Sequence, residues 1–138
     1  MKIITIIARI LLGLVFVVFG SNAFLHFLPM PPMSGPSGDF IGALNSTGYL
    51  QAIAALQVVG GALLIVGRYV PLGLTLLGPI VVNIVLYHVF LDHSGMPIAA
   101  IVAVIWLFLL WQYRSAFAGI FAPTESNRNS LLDAEKLQ

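Results

Sequence analysis

The sequence has 138 residues, of which 59% are hydrophobic and only 8% are charged, and its formal net charge is +1. Soluble chains of this length leave much of their surface in water and ordinarily carry about 25% charged residues, so lipid is the expected solvent. The near-neutral charge argues against a nucleic-acid partner, which needs a basic face. The lack of cysteine excludes disulfides, thiolate catalysis and cysteine-held zinc or iron–sulfur centres.

Four apolar runs are each long enough to cross a bilayer as an α-helix, which takes about 20 residues. None of them shows the period-2 alternation that is typical of a strand. The first run is longer than the apolar core of a signal peptide, so we expect it to be retained as a helix. The pattern predicts an all-α integral membrane four-helix bundle over residues 1–122, with helices at about 3–28, 49–66, 70–91 and 96–121.

The segments between the apolar runs are rich in residues that end helices. Residues 29–47 contain four prolines and predict a loop, within which DFIGAL favours a short interfacial helix starting at Asp39. Residues 67–71 and 92–95 are tight links, which make neighbouring helices antiparallel and the bundle up-down-up-down. Residues 123–138 are polar and predict a mobile cytoplasmic tail.

Every lysine and arginine falls on one side of the predicted bundle. Lys2 and Arg9 begin the first run, Arg68 separates the second run from the third, and three more follow in or after the fourth: Arg114, Arg128 and Lys136. The loops on the opposite side contain no basic residue. Cytoplasmic loops retain lysine and arginine, so both termini are expected in the cytoplasm. Arg9 and Arg114 are expected to reach the cytoplasmic headgroups.

Titratable side chains gather at the opposite, extracytoplasmic ends of the helices. Asn22 and His26 are four residues apart, as are His88 and Asp92, so each pair shares one helix face. A carboxylate beside an imidazole fixes its tautomer and raises its pKa, which serves proton exchange or metal binding. The metal candidates are His88, Asp92 and His93, although no tight ligand motif is present. The alternative is a structural role in the headgroup zone.

Other polar residues lie at the depth of the membrane. Gln57 is near the middle of the second helix, and a stripe with four-residue spacing follows the third: Thr75, Pro79, Asn83 and Tyr87. Unpaired polar groups that face lipid cost several kcal/mol, so these side chains are expected to face other helices. They would form either interhelical hydrogen bonds or the wall of a ligand pocket beside a kink at Pro79.

Small and aromatic residues predict packing and lipid contacts. Glycines let helix backbones approach closely in lipid, so we expect Gly13, Gly20, Gly60 and Gly61 at helix contacts. Trp106 and Trp111 are expected to contact lipid and the interfacial belt rather than a cofactor.

Four stretches of the sequence carry a family resemblance. They are ARILLGLVFVVFGSNAFLHFLPMPPM (8–33), TGYL (47–50), GRYVPLGLTLLGPIVVNIVLYHVFLDHSG (67–95) and WQYRSAF (111–117). Together they resemble the DoxX family of small four-helix membrane proteins over about residues 8–120. The stretch from 67 to 95 is the most specific part of this resemblance, and the polar tail lies outside it.

The resemblance implies a plasma-membrane protein, since that is where this mostly bacterial family resides. The family is named for similarity to a small subunit associated with a terminal quinol oxidase and thiosulfate:quinone oxidoreductase, and other members are linked to redox-stress complexes. Members often carry Lys where Ala23 stands and Glu where Gln57 stands. We therefore expect these positions to be neighbours at which a neutral pair replaces a buried ion pair.

The leading hypothesis is an auxiliary membrane subunit for quinone-linked redox partners, with a quinone or small-ligand pocket toward the outer face. No residue here carries electrons without a bound cofactor, so we do not expect an enzyme on its own. The candidate ligand-binding residues are Asn22, His26, Gln57, Asn83, Tyr87, His88 and Asp92. The alternatives are a scaffold or assembly factor for a larger membrane complex, and a small-molecule or lipid transporter. A homo-oligomer is expected because one small bundle leaves much packing surface.

Overall fold

The structure is a computed structural model. It describes the backbone of residues 2–137 and the side chains of these residues except 124–128. In this part of the chain all regular structure is helical, without a strand. The α-helices are α1 (Lys2–Leu25), α2 (Gly35–Ser46), α3 (Tyr49–Val66), α4 (Val70–Phe90), α5 (Met96–Gln112) and α6 (Thr124–Lys136). Two 3-10 segments, His93–Gly95 and Arg114–Phe121, precede and follow α5.

Among the described residues, four helices are long and apolar enough to span a membrane. They are α1, α3, α4 and the run His93–Gln112, which contains α5. Large apolar side chains on their outer faces are exposed, for example Phe19, Leu56, Val82 and Leu107. The predicted all-α fold is confirmed, as is the presence of four helices long and apolar enough to span a membrane, and such a surface is that of a membrane protein.

Helix α1 ends earlier than predicted because its C-terminus is capped. Asn22 Oδ1 accepts a hydrogen bond of 2.7 Å from the backbone N–H of Leu28, and His26 adopts a left-handed φ of +53°. This geometry turns the chain away at Leu25 rather than at residue 28. Helix α5 also ends early, at Gln112, where the Arg114 guanidinium donates to the Trp111 carbonyl and a 3-10 segment follows.

Two segments expected to lack long helices contain them. Residues 35–46 form α2, which begins four residues before the expected start at Asp39. Pro36 lies in the first turn, where its missing N–H leaves no helical hydrogen bond unmade. The polar tail, for which no helix was predicted, contains α6 (Thr124–Lys136). Sequence reasoning gave too much weight to the prolines and to the polar composition.

Tight backbone turns connect α3 to α4. Gly67 has φ +77°, and its N–H donates to the Leu63 carbonyl, which closes the end of α3. Tyr69 then adopts φ +57°, and Pro71 begins α4. Left-handed geometry at two of three successive residues reverses the chain within one short link.

Glycines lie where the helix backbones come closest. A Cβ placed on Gly13 of α1 would be 2.7 Å from the Gly61 carbonyl oxygen of α3, and one on Gly20 would be 2.9 Å from the Ala54 carbonyl oxygen. The contact partner moves back along α3 as the residue moves forward along α1, so these helices run antiparallel. Gly60 and Gly73 make the same kind of approach between α3 and α4. The predicted close packing at glycine is therefore confirmed.

Leucines fill the centre of the bundle, and Trp106 anchors α5 to it. The largest fully buried side chains are Leu12, Leu64, Leu74, Leu77 and Leu109. Trp106 packs on Gly78, and its indole N–H donates to the Leu74 carbonyl over 3.1 Å. The expected lipid-facing role was therefore wrong for Trp106. An indole N–H in hydrocarbon needs an acceptor, which α4 supplies. Trp111 is exposed as expected.

Candidate functional site

A cavity of about 490 Å³ lies between α2, α3 and α4. Phe40 and Ile41 of α2 and Leu56 of α3 contribute apolar walls. The polar lining comes from Tyr49 and Gln57 of α3 and from one face of α4: Thr75, Asn83, Tyr87 and His88. Leu56 and Asn83 are exposed, so the cavity opens on the outside of the bundle. This size is within the range of small-molecule pockets, about 300–1,000 Å³.

Thr75 and Asn83 of α4 each donate to the carbonyl of a proline four residues earlier in the helix. Pro79 lacks the N–H that would bond the Thr75 carbonyl, so that carbonyl has no donor at its usual helical position. The Thr75 hydroxyl donates to the Pro71 carbonyl over 2.8 Å, and Asn83 Nδ2 donates to the Pro79 carbonyl over the same distance. Each donor is thus directed back along its own helix, and Asn83 Oδ1 remains as an acceptor at the cavity.

Gln57 is a polar side chain of the cavity without a hydrogen-bond partner among the described residues. It is partly buried in the spanning part of α3 and makes no hydrogen bond with any described residue. An amide at membrane depth without a partner costs several kcal/mol. A bound molecule with a carbonyl or hydroxyl group would satisfy it.

His88 has a defined tautomer. Its Nδ1 lies 2.8 Å from the backbone carbonyl oxygen of Asp92, and a carbonyl only accepts, so Nδ1 carries the proton. In the neutral ring, Nε2 is then left as an acceptor. A Cβ on Gly95 would overlap the imidazole, so this position admits only glycine while the ring keeps its place. His88 is therefore held from two sides.

The Asp92 carboxylate has a different partner from the one predicted. Its Oδ1 accepts from the Ser94 hydroxyl at 2.6 Å and from the Ser94 N–H at 3.1 Å, whereas Oδ2 is 3.8 Å from His88 Nδ1. The backbone of Asp92, not its carboxylate, therefore fixes the His88 tautomer. Because the Ser94 hydrogen bonds stabilise the ionised form, the pKa of Asp92 is lowered from its ordinary value.

Tyr87 connects the cavity to the segment before α2. Its hydroxyl donates to Met33 Sδ over 3.3 Å, and its ring lies 6.0 Å from the Phe40 ring and 5.0 Å from the His88 ring. These contacts hold the segment from residue 33 to α2 over the α3–α4 groove. The Tyr87 hydroxyl proton is consequently directed away from a ligand in the cavity.

The seven predicted ligand-binding residues separate into three places. Gln57, Asn83, Tyr87 and His88 line the cavity together, and Asp92 lies just beyond it. Neither Asn22 nor His26 lines the cavity. Asn22 is buried as the cap of α1, and His26 is exposed beyond that helix.

The described side chains form no group of three or more metal-ligating residues. His88 Nδ1 and His93 Nδ1 both face backbone carbonyls, and the Asp92 carboxylate bonds Ser94. Nδ1 of each histidine and Oδ1 of Asp92 therefore already have hydrogen-bond partners within the chain. Sequence reasoning also missed Met33, Phe40 and Ile41 as residues around the cavity, because nothing in the loop pattern showed where α2 would pack.

Part of the chain is similar to a known protein. Over 65 residues the chain is 37% identical to the uncharacterized protein YwoB of Bacillus subtilis (strain 168). This similarity covers 47% of the chain and 42% of that protein, so the chain spans less than half the length of this relative. No protein-family model matches. No solved structure matches either.

Proposed function

We propose that this protein is a DoxX-type membrane subunit that binds a lipid-soluble quinone between α2, α3 and α4. The observation that carries the proposal is Gln57, an unpartnered amide in a cavity whose walls are mostly apolar. The cavity opens outward through exposed Leu56 and Asn83, so a ligand dissolved in the bilayer has direct access. A quinone combines an apolar ring and tail with carbonyl acceptors.

The cavity residues supply complementary roles for the two forms of such a ligand. The Gln57 amide N–H donates to a quinone carbonyl, and the second Nδ2 hydrogen of Asn83 donates to the other. When the ligand is a quinol, its hydroxyl donates to His88 Nε2, which the Asp92 carbonyl keeps free of a proton in the neutral ring. Tyr87 positions the ligand through its ring rather than its hydroxyl. Electrons come from a redox partner, so the protein acts as an auxiliary subunit.

The proposal includes a plasma-membrane location and an up-down-up-down arrangement with cytoplasmic termini. Support comes from the basic residues, since Lys2, Arg9 and Arg68 lie at the end of the bundle where α1 begins and α3 ends. Asp39 and Asp92 lie in the segments at the other end. Basic residues are retained on the cytoplasmic side. His88 and the cavity would then be nearer the outer face.

Direct binding tests this proposal. Purified protein in nanodiscs is titrated with short-chain ubiquinone and menaquinone analogues, and heat is followed by calorimetry. Gln57→Leu and His88→Ala are each expected to weaken the dissociation constant by about tenfold, near 1.4 kcal/mol. The matched control is Gln112→Leu, which removes the same amide at the other end of the bundle. An absence of saturable binding by a helical, folded sample would contradict the quinone proposal and favour the scaffold alternative.

A further inference from the structure

A second cavity lies at the opposite end of the bundle, where α1 begins and α5 ends. Its volume is about 400 Å³, and it is lined by Lys2, Thr5, Ile6, Arg9, Gln112 and Tyr113. The lining thus has two cations and no carboxylate. It does not share a residue with the cavity between α2, α3 and α4.

Arg9 is held in this cavity without an anionic partner. A Cβ on Gly67 would lie 2.7 Å from both Cζ and Nη1 of Arg9, so the guanidinium lies directly against the end of α3. Arg9 Nε is buried and has no hydrogen-bond partner among the described residues. An uncompensated guanidinium is unfavourable in a partly buried site, so this position favours a bound anion.

The remaining charges of the described chain do not neutralise the cavity. No ion pair joins Lys2 or Arg9 to any described carboxylate. Asp92 bonds Ser94 near the other end of the bundle, and Asp133 lies 3.9 Å from Lys136 within α6. Neither the Gln112 amide nor the Tyr113 hydroxyl makes a side-chain hydrogen bond in the described part of the chain, so both add neutral donors beside the cations.

We propose that this cavity binds a phosphate group, carried either by an anionic phospholipid headgroup or by a free phosphate compound. A guanidinium offers a planar fork of N–H donors that matches phosphate oxygens, and an ammonium adds a point charge. The cavity lies at the ends of spanning helices, which is the level of lipid headgroups. Anionic lipids are enriched in the cytoplasmic leaflet, the side expected for Lys2 and Arg9.

Titration of the protein in detergent with two phosphate sources tests this inference. Dioleoylphosphatidylglycerol is compared with dioleoylphosphatidylcholine, whose choline cancels the headgroup charge. Sodium phosphate is compared with sodium chloride at equal ionic strength. Thermal unfolding and native mass spectrometry report binding. We expect saturable binding of a phosphate source that raises the midpoint of unfolding.

Charge-removal variants locate the site. Arg9→Gln and Lys2→Gln are each expected to weaken the dissociation constant about tenfold, and Arg9→Lys less so because it keeps the charge without the fork. Arg68→Gln is the matched control, since Arg68 is an exposed cation at the same end that does not line the cavity. We expect it to change the constant by less than about twofold.

The possible outcomes distinguish the two phosphate sources and test whether the cavity binds phosphate. Binding of phosphatidylglycerol alone assigns the site to a lipid headgroup, and binding of inorganic phosphate assigns it to a free compound. Equal weakening by Arg68→Gln would show only long-range surface charge and would overturn the inference, as would no binding of either probe. If Arg9→Gln does not fold, Lys2→Gln decides, because Lys2 is exposed. Quinone binding should be unchanged in these variants.

Discussion

Two single residues of the cavity, His88 and Gln57, differ in how completely their polar groups are hydrogen-bonded. His88 is bonded at Nδ1 and enclosed by Gly95, whereas Gln57 has no partner among the described residues. The cavity is therefore lined by a fixed hydrogen-bond acceptor, His88 Nε2 in the neutral ring, and by the Gln57 amide, a donor without a partner among the described residues. That combination suits a ligand with oxygen atoms better than a fully packed core does.

The hydrogen bonds of Ser94 predict a pH effect on the nearby Asp92. Because they hold the folded pKa below the unfolded value, their contribution to stability is present above the unfolded pKa and is lost as pH falls through the folded pKa. Ser94→Ala removes the hydrogen bond from the Ser94 hydroxyl, which lowers the pKa of Asp92 more than the bond from the Ser94 N–H does. We therefore expect the pKa of Asp92 to rise toward its ordinary value. Carbon-13 NMR titration of the aspartate carboxyl groups measures this shift.

Ser37→Ala is the matched control for that titration. The Ser37 hydroxyl donates to the Ser34 carbonyl and has no contact with Asp92. Its removal should leave the Asp92 titration unchanged. An unchanged midpoint in Ser94→Ala would mean that the Ser94 hydroxyl does not stabilise the Asp92 carboxylate in solution.

At the scale of helices, the close approach of α1 and α3 depends on two facing glycines. A Cβ on Gly61 would lie 2.7 Å from the Gly13 carbonyl oxygen and 3.0 Å from Val17 Cγ2. Gly61→Leu would push the backbones apart, and overpacking of this kind costs about 1–3 kcal/mol. We therefore expect a lower unfolding midpoint in a denaturing-detergent titration followed by circular dichroism.

Ala55→Leu on the same helix provides the control for that experiment. Ala55 is exposed, so the added side chain would face the surrounding lipid or detergent. Its unfolding midpoint should remain close to that of the unchanged protein. Equal midpoints for the Gly61 and Ala55 variants would contradict a glycine-dependent contact between α1 and α3.

Helix α2 shows why the cavity has a covered side. Its first turn starts with Gly35 and Pro36, and its Phe40 ring meets the Tyr87 ring of α4. Nothing buried lies within α2 itself, so its position depends on these contacts with the spanning helices and on Met33 before it. A segment of this kind can contribute a wall without contributing to the bundle core.

For the whole molecule, the arrangement of basic residues predicts which side of the membrane each segment occupies. The chain has no cysteine, so single introduced cysteines report accessibility without a background. Ser37→Cys in α2 should react with a membrane-impermeant maleimide added outside intact cells. Asn129→Cys in α6 should react only after lysis. Labelling of both from the same side would contradict four spans with cytoplasmic termini.

The two cavities differ in the chemistry of their linings, and each is formed by more than one helix. The α2–α3–α4 cavity combines apolar walls with neutral polar groups, whereas the second cavity places Lys2 and Arg9 where α1 begins. The first suits a bilayer-soluble ligand, and the second suits an anion at the headgroup level. Because they share no lining residue, substitutions in one should leave the ligand of the other unaffected.

The resemblance between sequence expectation and structure is closest along single helices. The four-residue spacing of Asn83 and Tyr87 predicted a shared polar face on α4, and both line the cavity. Gln57 of α3 was expected only to face other helices, and it lines the same cavity. Asn22 and His26 were predicted at the same site but do not line the cavity, since Asn22 caps the end of α1 and His26 is exposed beyond it.

The sequence by itself determined that this chain is all-helical, with four helices long and apolar enough to span a membrane, because apolar length and composition are local properties that lipid selects directly. Tertiary structure decided which polar groups meet, how α2 covers the α3–α4 groove, and which hydrogen bond fixes the His88 tautomer. Those outcomes depend on contacts between residues far apart in the chain, such as Tyr87 with Met33. Hydropathy and residue spacing carry no information about which distant residues meet in the folded chain.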